Sequence, residues 1–398
     1  MMKVLWFGNS GLYSSINPYN GGGWVSSLYY KLKERYPNDI IFSLAFNWND
    51  DINDTKQNIN FYGIKNYKRA WLHYDEIQSK RKARIKEVVE IEKPDIIHVF
   101  GTESGLGLVG LVTDIPVVIH IQGILSALWE GWLPQNVSWN TLYLRSIYEY
   151  LSKKSLLKDI EREKLIFRSC KYLMGRTAWD KSISSFMAPN AKYFYCGEML
   201  RPEIYNSTKI WSLHNRKKKI IVSVVSQAIY KGNDTILRTA KALKEFYGEN
   251  FEWKVYGVKN MDFQVKRTSV DPDDVNVFPM GVIDANGLVN VLTEADLFVH
   301  PSNIENSPNS VCEAQLLGIP IVATNAGGVS SLVKDEDDGL LVAPRDVYAM
   351  ASKIARLLNN PQETDMLSKK GRLHALERHN PNMIVENLFK IYKELLSE

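Results

Sequence analysis

Two carboxylates eight positions apart, Glu305 and Glu313, bracket the part of this sequence richest in possible chemistry. The stretch reads Glu305-Asn306-Ser307-Pro308-Asn309-Ser310-Val311-Cys312-Glu313 and follows His300-Pro301-Ser302. Ser307-Pro308 is a helix start, with Ser as N-cap and Pro at the first helical position. Glu305 is therefore expected in a loop and Glu313 inside the helix. The free N–H groups around Asn309 and Ser310 then point outward with the positive end of the helix dipole, which suits an anion such as a diphosphate. Carboxylates on either side of it can accept hydrogen bonds from hydroxyls, those of a sugar on one side and of a ribose on the other. By spacing alone, a surface capping loop with a solvated Glu fits equally well.

Such a site calls for a cation. Lys231, in Ser226-Gln227-Ala228-Ile229-Tyr230-Lys231-Gly232, can neutralise charge developing on a departing diphosphate. A solvated lysine at a helix start is the plain alternative. Arg176, in Gly175-Arg176-Thr177-Ala178-Trp179-Asp180, is a second candidate to face a cleft, and an ordinary ion pair would explain it as well. Gly21-Gly22-Gly23 stands ahead of a helix, where glycine lets the backbone approach a ligand and offers N–H groups to phosphate or acceptor oxygens. A flexible turn reads the same way. It does not fit G-x-G-x-x-G, which argues against a dinucleotide oxidoreductase. His98 and His120 sit at strand ends, and Gln122-Gly123 follows the second. His120 or Gln122 is a candidate to touch a transferred sugar, against the reading of a satisfied core histidine. Glu103 is a weaker loop candidate. Asp271-Pro272-Asp273 is formally D-x-D and 335–338 is acidic, but both lie in turn-like sequence, so no metal is expected.

These residues need elements to hold them. The apolar run 4–7, ended by Gly8-Asn9-Ser10-Gly11, suits a buried first strand. A helix is expected over 24–35, a strand over 40–46, and a loop over 47–60, where Asn and Asp abound. Helical pattern returns at 75–92, followed by strands at 96–100 and 117–121, a long basic helical region over 142–169, and a strand at 172–175. Residues 206–219 carry His214-Asn215-Arg216-Lys217-Lys218-Lys219 without apolar periodicity and read as a linker. Beyond it the alternation restarts: strands at 220–225, 252–256, 275–278, 296–300, 319–323 and 339–342, with helices between. A last helix, 383–396, has Ile384, Leu388, Ile391, Tyr392 and Leu395 at helical spacing. Strands alternating with helices in two blocks imply two doubly wound parallel α/β units with a cleft between them. The expected division is an N-terminal domain over 1–205, a C-terminal domain over 206–378, and a final helix over 379–398.

The totals agree with two such domains. At 398 residues and 45% hydrophobic content, each half can bury a core. A net charge of +4 does not demand nucleic acid, and the excess of Lys and Arg lies in the first half. Lys153, Lys154, Lys158, Arg162, Lys164 and Arg168, with Leu156, Leu157, Leu165, Ile166 and Phe167 among them, could dock on anionic lipid. Glu161 and Glu163 interrupt that run and favour a helix packed on its own domain. Cys170, Cys196 and Cys312 are scattered singly, as reduced thiols of a cytosolic protein are. The apolar start is too short for a signal peptide, and no run is long enough to cross a membrane. The expected location is cytoplasmic, with the inner face of the membrane kept as a peripheral partner.

Taken together, the motifs resemble those of the retaining GT-B glycosyltransferases grouped as glycosyltransferase family 4. Besides the E-x7-E block, the sequence has Gly318-Ile319-Pro320-Ile321-Val322-Ala323-Thr324, then Gly327-Gly328, then Asp338-Gly339-Leu340-Leu341-Val342. The likeness extends over essentially the whole chain and is strongest over 218–345. It implies a GT-B fold, with the last helix crossing back to the N-terminal domain. It also implies a nucleotide-sugar donor such as a UDP- or GDP-sugar and no further cofactor. Glu305 would contact the donor sugar and act with Lys231 and His120 in catalysis. Glu313 would contact the ribose. Asn309, Ser310, Ser226, Arg176 and Gly281 would complete the donor site, with Gly21, Gly22, Gly23 and Gln122 on the acceptor or phosphate side. The family usually has Arg-x4-Lys; here Ser226 stands where the Arg would be, and Arg176 is the candidate substitute. The implied activity is transfer of a hexose-type sugar to a glycan or lipid-linked acceptor in surface polysaccharide or glycoconjugate synthesis. A non-hydrolysing nucleotide-sugar epimerase and a non-catalytic sugar-nucleotide-binding protein are the rival readings.

Overall fold

Each apolar run in the first half becomes a strand of one sheet. The computed structural model describes residues 1–13, 23–67, 72–133 and 147–398, with 147–152 described by backbone alone. In the first half it places β1 (Met2–Gly8), α1 (Gly23–Arg35), β2 (Ile40–Trp48), β3 (Ile52–Lys56), β4 (Ile59–Lys65), α2 (Tyr74–Glu92), β5 (Ile96–Phe100), β6 (Val117–His120), α3 (Leu125–Trp132), α4 (Ile147–Ser169), β7 (Tyr172–Gly175), α5 (Ala178–Met187), β8 (Lys192–Tyr195) and α6 (Pro202–Tyr205). The strand order is β3-β4-β2-β1-β5-β6-β7-β8, parallel except for β3 against β4. β1 and β5 are buried along nearly their whole length, as strands covered on both faces must be.

The loop expected over 47–60 is instead part of a hairpin. β3 pairs antiparallel with β4 around Gln57 and Asn58, which have φ of 51° and 61°. That turn matches the twist of the strands it joins. β3 is largely exposed, so its Asn and Asp carry no apolar alternation, and the pairing comes from β4, whose Phe61, Tyr62 and Ile64 are buried.

The second half contains β9 (Lys219–Val224), α7 (Asn233–Phe246), β10 (Phe251–Tyr256), α8 (Asp262–Thr268), β11 (Val277–Gly281), α9 (Ala285–Glu294), β12 (Leu297–His300), α10 (Asn309–Leu317), β13 (Ile321–Thr324), β14 (Leu340–Val342), α11 (Val347–Asn359) and α12 (Pro361–Arg378). The order β11-β10-β9-β12-β13-β14 is the doubly wound arrangement, reversing direction between β9 and β12. Residues 206–218 are irregular but packed: Trp211 is buried, and its Nε1 donates to the Ala295 carbonyl at 2.7 Å. The last helix, α13 (Pro381–Ser397), returns to the first sheet and joins a core of Trp6, Leu28, Ile384, Leu388 and Tyr392. No helix among the described residues is long and apolar enough to cross a membrane.

Four histidines lie in these cores. Burial pushes His98 and His379 down to about 3 and His300 down to about 4, and holds His120 well below its usual value. Each is neutral when folded yet binds a proton when unfolded, so its contribution is complete above about pH 6.5 and fades as pH falls toward the folded value. Burial raises Glu103 to about 7 and also raises Glu313, so these two act in the opposite sense to the histidines. The four imidazoles outnumber the two carboxyls, so stability is expected to fall as pH drops below about 6.5. The melting temperature should therefore drop steeply between about pH 6.5 and 4.5. A flat profile there would show that these imidazoles are not held neutral.

Candidate functional site

The reversal point of the second sheet, where β9 and β12 are neighbours, fixes where a ligand crevice must open. The loops leaving these two strands carry Lys231 and Glu305. They cross at Gly232, whose φ is +74° and where a Cβ would stand 2.1 Å from the Pro301 carbonyl oxygen. Only glycine permits that approach. Lys231 Nζ then reaches Glu305 Oε1 at 2.5 Å. Burial, the largest single influence, acts to lower the Lys231 pKa, but the charge of Glu305, the nearby Tyr230 and the hydrogen bond to Glu305 together leave the lysine raised and protonated. The Glu305 carbonyl accepts from Gly328 N at 2.9 Å, and a Cβ on Gly327 would lie 1.9 Å from that same oxygen. His300 Nε2 is 3.7 Å from Glu305, but with its pKa at about 4 the ring is neutral near pH 7, which leaves Lys231 as the cation beside the carboxylate.

The helix start differs from expectation by one residue. α10 begins at Asn309 with Pro308 as N-cap, and no side chain caps it. The Ser307 hydroxyl is engaged elsewhere, donating to the buried Glu198 carboxylate. The first N–H groups of α10 remain outside the helical ladder. Asn309 and Ser310 line a cavity of about 310 Å³ together with Gly23, Trp24, Arg201, Tyr256, Val282 and Glu313. Glu313 is 4% exposed and accepts from Arg201 Nε at 2.8 Å, with Nη2 at 2.7 Å. Burial raises the Glu313 pKa against the pull of Arg201. The cavity has the size of a small-ligand site, apolar walls and a few convergent polar groups. Gly281 is close to it, at the end of β11 with φ +73° and open space where a Cβ would be. Ser226 is exposed, and its Oγ accepts from Ala228 N at 3.4 Å. A larger groove, about 1090 Å³, runs along β8 and α13 and holds none of these residues.

The first domain meets this site from the other side. Arg176 is buried, its Nε 3.3 Å from Glu198 and its Nη1 3.5 Å from Gln122 Oε1, with the guanidinium over the Trp24 ring. Its charge is thus already balanced by a buried carboxylate. His120 is fully enclosed, its ring 5.1 Å from that of Trp24 and 5.5 Å from that of His98. His120 is thus enclosed, with neither ring nitrogen hydrogen-bonded among the described residues, while Gln122, two residues on, is partly exposed. His98 is a core residue bonded to Tyr392. Gly21 and Gly22 lie outside the described residues, while Gly23 lines the cavity. In α4 the expected basic face is partly turned inward. Arg162 donates to Asp159 Oδ1 at 2.5 Å, and Glu163 caps α3 by accepting from Leu125 N at 2.8 Å and Ser126 N at 3.0 Å. Asp271 and Asp273 form an exposed turn, and Asp338 is bound to His374 at 2.7 Å.

Sequence reasoning missed Glu198, Arg201 and Asn306. The first two sit in Gly197-Glu198-Met199-Leu200-Arg201, where charges beside apolar residues at the domain junction were the available signal. Asn306 gave none.

The architecture is GT-B, two Rossmann-like domains facing a cleft. It matches sucrose-phosphate synthase from Thermosynechococcus elongatus over 100% of both chains, with a TM-score of 0.76 and 16% identity. It also matches Anabaena HepE in complex with UDP and glucose over 99% of this chain and 100% of that one, with a TM-score of 0.64 and 16% identity. Residues 207–374 match the family described as Glycosyl transferases group 1. The chain thus has the GT-B fold, and most of its second half, residues 207–374, resembles a group 1 glycosyltransferase domain. Among curated proteins, it is 37% identical over 127 residues to D-inositol 3-phosphate glycosyltransferase of Saccharomonospora viridis, covering 31% of this chain and 28% of that one. It is 22% identical over 254 residues to the amylovoran biosynthesis glycosyltransferase AmsK of Erwinia amylovora, covering 62% of each. The chain thus spans less than two thirds of the length of these relatives.

Proposed function

We propose that this chain is a hexosyltransferase that moves a sugar from a nucleoside-diphosphate donor to a glycan or lipid-linked acceptor, retaining the anomeric configuration in the manner of glycosyltransferase family 4. The Lys231–Glu305 pair at 2.5 Å, set at the reversal point of the second sheet, carries the reading. Glu305 would accept hydrogen bonds from the donor sugar. Lys231 and the start of α10 would receive the diphosphate, and the cavity beside Glu313 would receive the nucleoside. In the transfer, the bond from the anomeric carbon to the terminal phosphate oxygen breaks as the acceptor oxygen bonds to that carbon from the same face. The acceptor proton passes to the departing phosphate. Lys231 stabilises the leaving diphosphate, whose charge grows as the bond breaks. The reading assigns no metal. It is supported by the group 1 match, by the UDP and glucose held in the HepE complex, and by the amylovoran biosynthesis for which AmsK is named.

A thermal-shift screen of UDP, GDP, ADP and TDP and their sugars tests it. The expected result is a rise of several degrees with one nucleotide diphosphate, followed by transfer of the matching sugar with unchanged anomeric configuration by NMR. No shift with any of the four would sink the reading. Conversion of the donor without an acceptor would replace it with an epimerase.

A further inference from the structure

Glu305 is followed by a residue whose side chain leaves its own domain. Asn306 is buried, and all of its amide hydrogen bonds cross to the first domain. Its Oδ1 accepts from Thr177 Oγ1 at 2.7 Å. Its Nδ2 donates to Asp180 Oδ2 at 3.0 Å and to the Gln122 carbonyl at 3.2 Å. The amide can be oriented only this way, because its nitrogen faces a carboxylate and a carbonyl while its oxygen faces a hydroxyl.

The partners are themselves fixed. Thr177 and Asp180 form the capping box of α5, in which Thr177 Oγ1 accepts from Asp180 N at 3.0 Å. Asp180 is fully buried and also accepts from Arg176 N at 3.0 Å, Thr177 N at 3.3 Å and Tyr193 Oη at 2.6 Å. Asn306 thus docks on a helix terminus whose capping box closes without it. The second point of contact is the Gln122 carbonyl, in the loop after β6, which Asn306 holds one residue away from Glu305. Gly328 packs beneath, where a Cβ would meet the Asn306 carbonyl at 2.1 Å and Thr177 Cγ2 at 2.8 Å.

We propose that Asn306 is a positioning residue that latches the two domains together at the sugar end of the cleft and so couples closure to the placement of Glu305 against the Gln122 loop. The inference rests on the transferase reading for its kinetic consequence. Parting the domains exposes the amide to water and breaks all three bonds at once, while the Lys231–Glu305 pair, internal to the second domain, stays intact. The donor can therefore bind to an unlatched protein, but the carboxylate is no longer registered against the acceptor side. A loss of alignment of this kind appears in kcat more than in donor affinity.

The test is Asn306→Ala in the full-length chain, read by kinetics with the donor returned by the screen and by hydrogen exchange on the ligand-free protein. Three hydrogen bonds of ordinary strength predict a kcat lower by roughly 10–50-fold, with donor KM within about threefold of the wild type. Peptides covering 177–184 and 301–308 should both exchange about tenfold faster or more, because the latch protects both sides. Ser331→Ala removes another cross-domain bond, from Ala178 N to Ser331 Oγ at 2.9 Å, which is not attached to Glu305. It should leave kcat within about threefold. Equal losses in both variants would reassign the effect to general loosening and overturn the proposal. So would unchanged exchange in 177–184, or a change confined to KM. Asn306→Ser repeats the experiment should the alanine variant fold poorly, since serine is too short to reach Asp180. If the wild type turns over no donor, the transferase reading fails by itself, and the exchange arm alone decides whether the latch exists.

Discussion

Lys231→Ala is expected to lower kcat by about 10²–10³-fold while changing nucleotide affinity far less, because the lysine matters most when the leaving group is fully charged. Before reaction its ammonium is matched to Glu305 at 2.5 Å, and the pair is largely buried. On the proposed reading, the diphosphate enters beside that pair and the ammonium shifts part of its interaction to the phosphate as negative charge accumulates there. Removing the ammonium has two consequences. The departing diphosphate loses the cation this reading assigns to it, since Arg176 is committed to Glu198, Arg201 is paired with Glu313, and Ser226 offers only a hydroxyl. Glu305 is left as a buried carboxylate beside neutral His300, and its charge repels rather than receives an incoming phosphate. Lys231→Arg should recover only part of the rate: the charge returns, but the longer planar head cannot take the same place next to Gly232. Single-turnover kinetics separate the chemical step from product release. A variant with wild-type single-turnover rate and weakened binding would assign Lys231 to uniform substrate binding and remove the leaving-group role.

The sequence made some of this site legible because the relevant information is local. Glu305, Glu313, Asn309 and Ser310 are placed by one strand, one loop and one helix, and a Ser-Pro pair marks that helix whether or not Ser is the cap. Lys231 is placed by the neighbouring strand of the same doubly wound sheet, so knowing the fold is enough to bring it to Glu305. What stayed hidden depends on docking between distant segments. Ser307 looks like an N-cap until Glu198, more than a hundred residues earlier, takes its hydroxyl. Asn306 reads as loop polarity until α5 arrives with Thr177 and Asp180. His120 and Gln122 are nearly indistinguishable along the chain. Trp24 and His98, packed against one of them in space, separate an enclosed ring from a residue at the cleft. The β3–β4 hairpin was missed for the opposite reason, since an exposed edge strand needs no apolar period and is held by its partner.

Tyr392→Phe should destabilise the first domain by about 2–4 kcal/mol, although it deletes a single oxygen. The reason is what that oxygen joins. Trp6 Nε1 is 3.0 Å from Tyr392 Oη, and His98 Nδ1 is 2.6 Å from it. An indole N–H can only donate, so the tyrosine oxygen accepts from Trp6, and it shares a second hydrogen bond with His98 Nδ1 whose direction follows the imidazole tautomer. The ring itself is neutral, since burial holds its pKa down to about 3. Phenylalanine retains the apolar contact with the core but strands an indole N–H and an imidazole nitrogen in the buried core. Each unsatisfied group costs about 1–3 kcal/mol. The consequence goes beyond one bond, because Tyr392 lies on α13, the helix that returns from the second domain to cover β1 and β5. Around it, Leu388 and Ile391 are buried and Phe389 stacks on Tyr36 with ring centroids 3.9 Å apart. Weakening this seat frees the segment that ties the far end of the chain to the first sheet. A fall of roughly 4–10 °C in the melting temperature is expected, with Glu386→Ala on the exposed face of the same helix as a control that moves it by under about 1 °C. Should Tyr392→Phe melt with the wild type, the bridge between Trp6 and His98 would contribute nothing, and the return of α13 would rest on apolar packing alone.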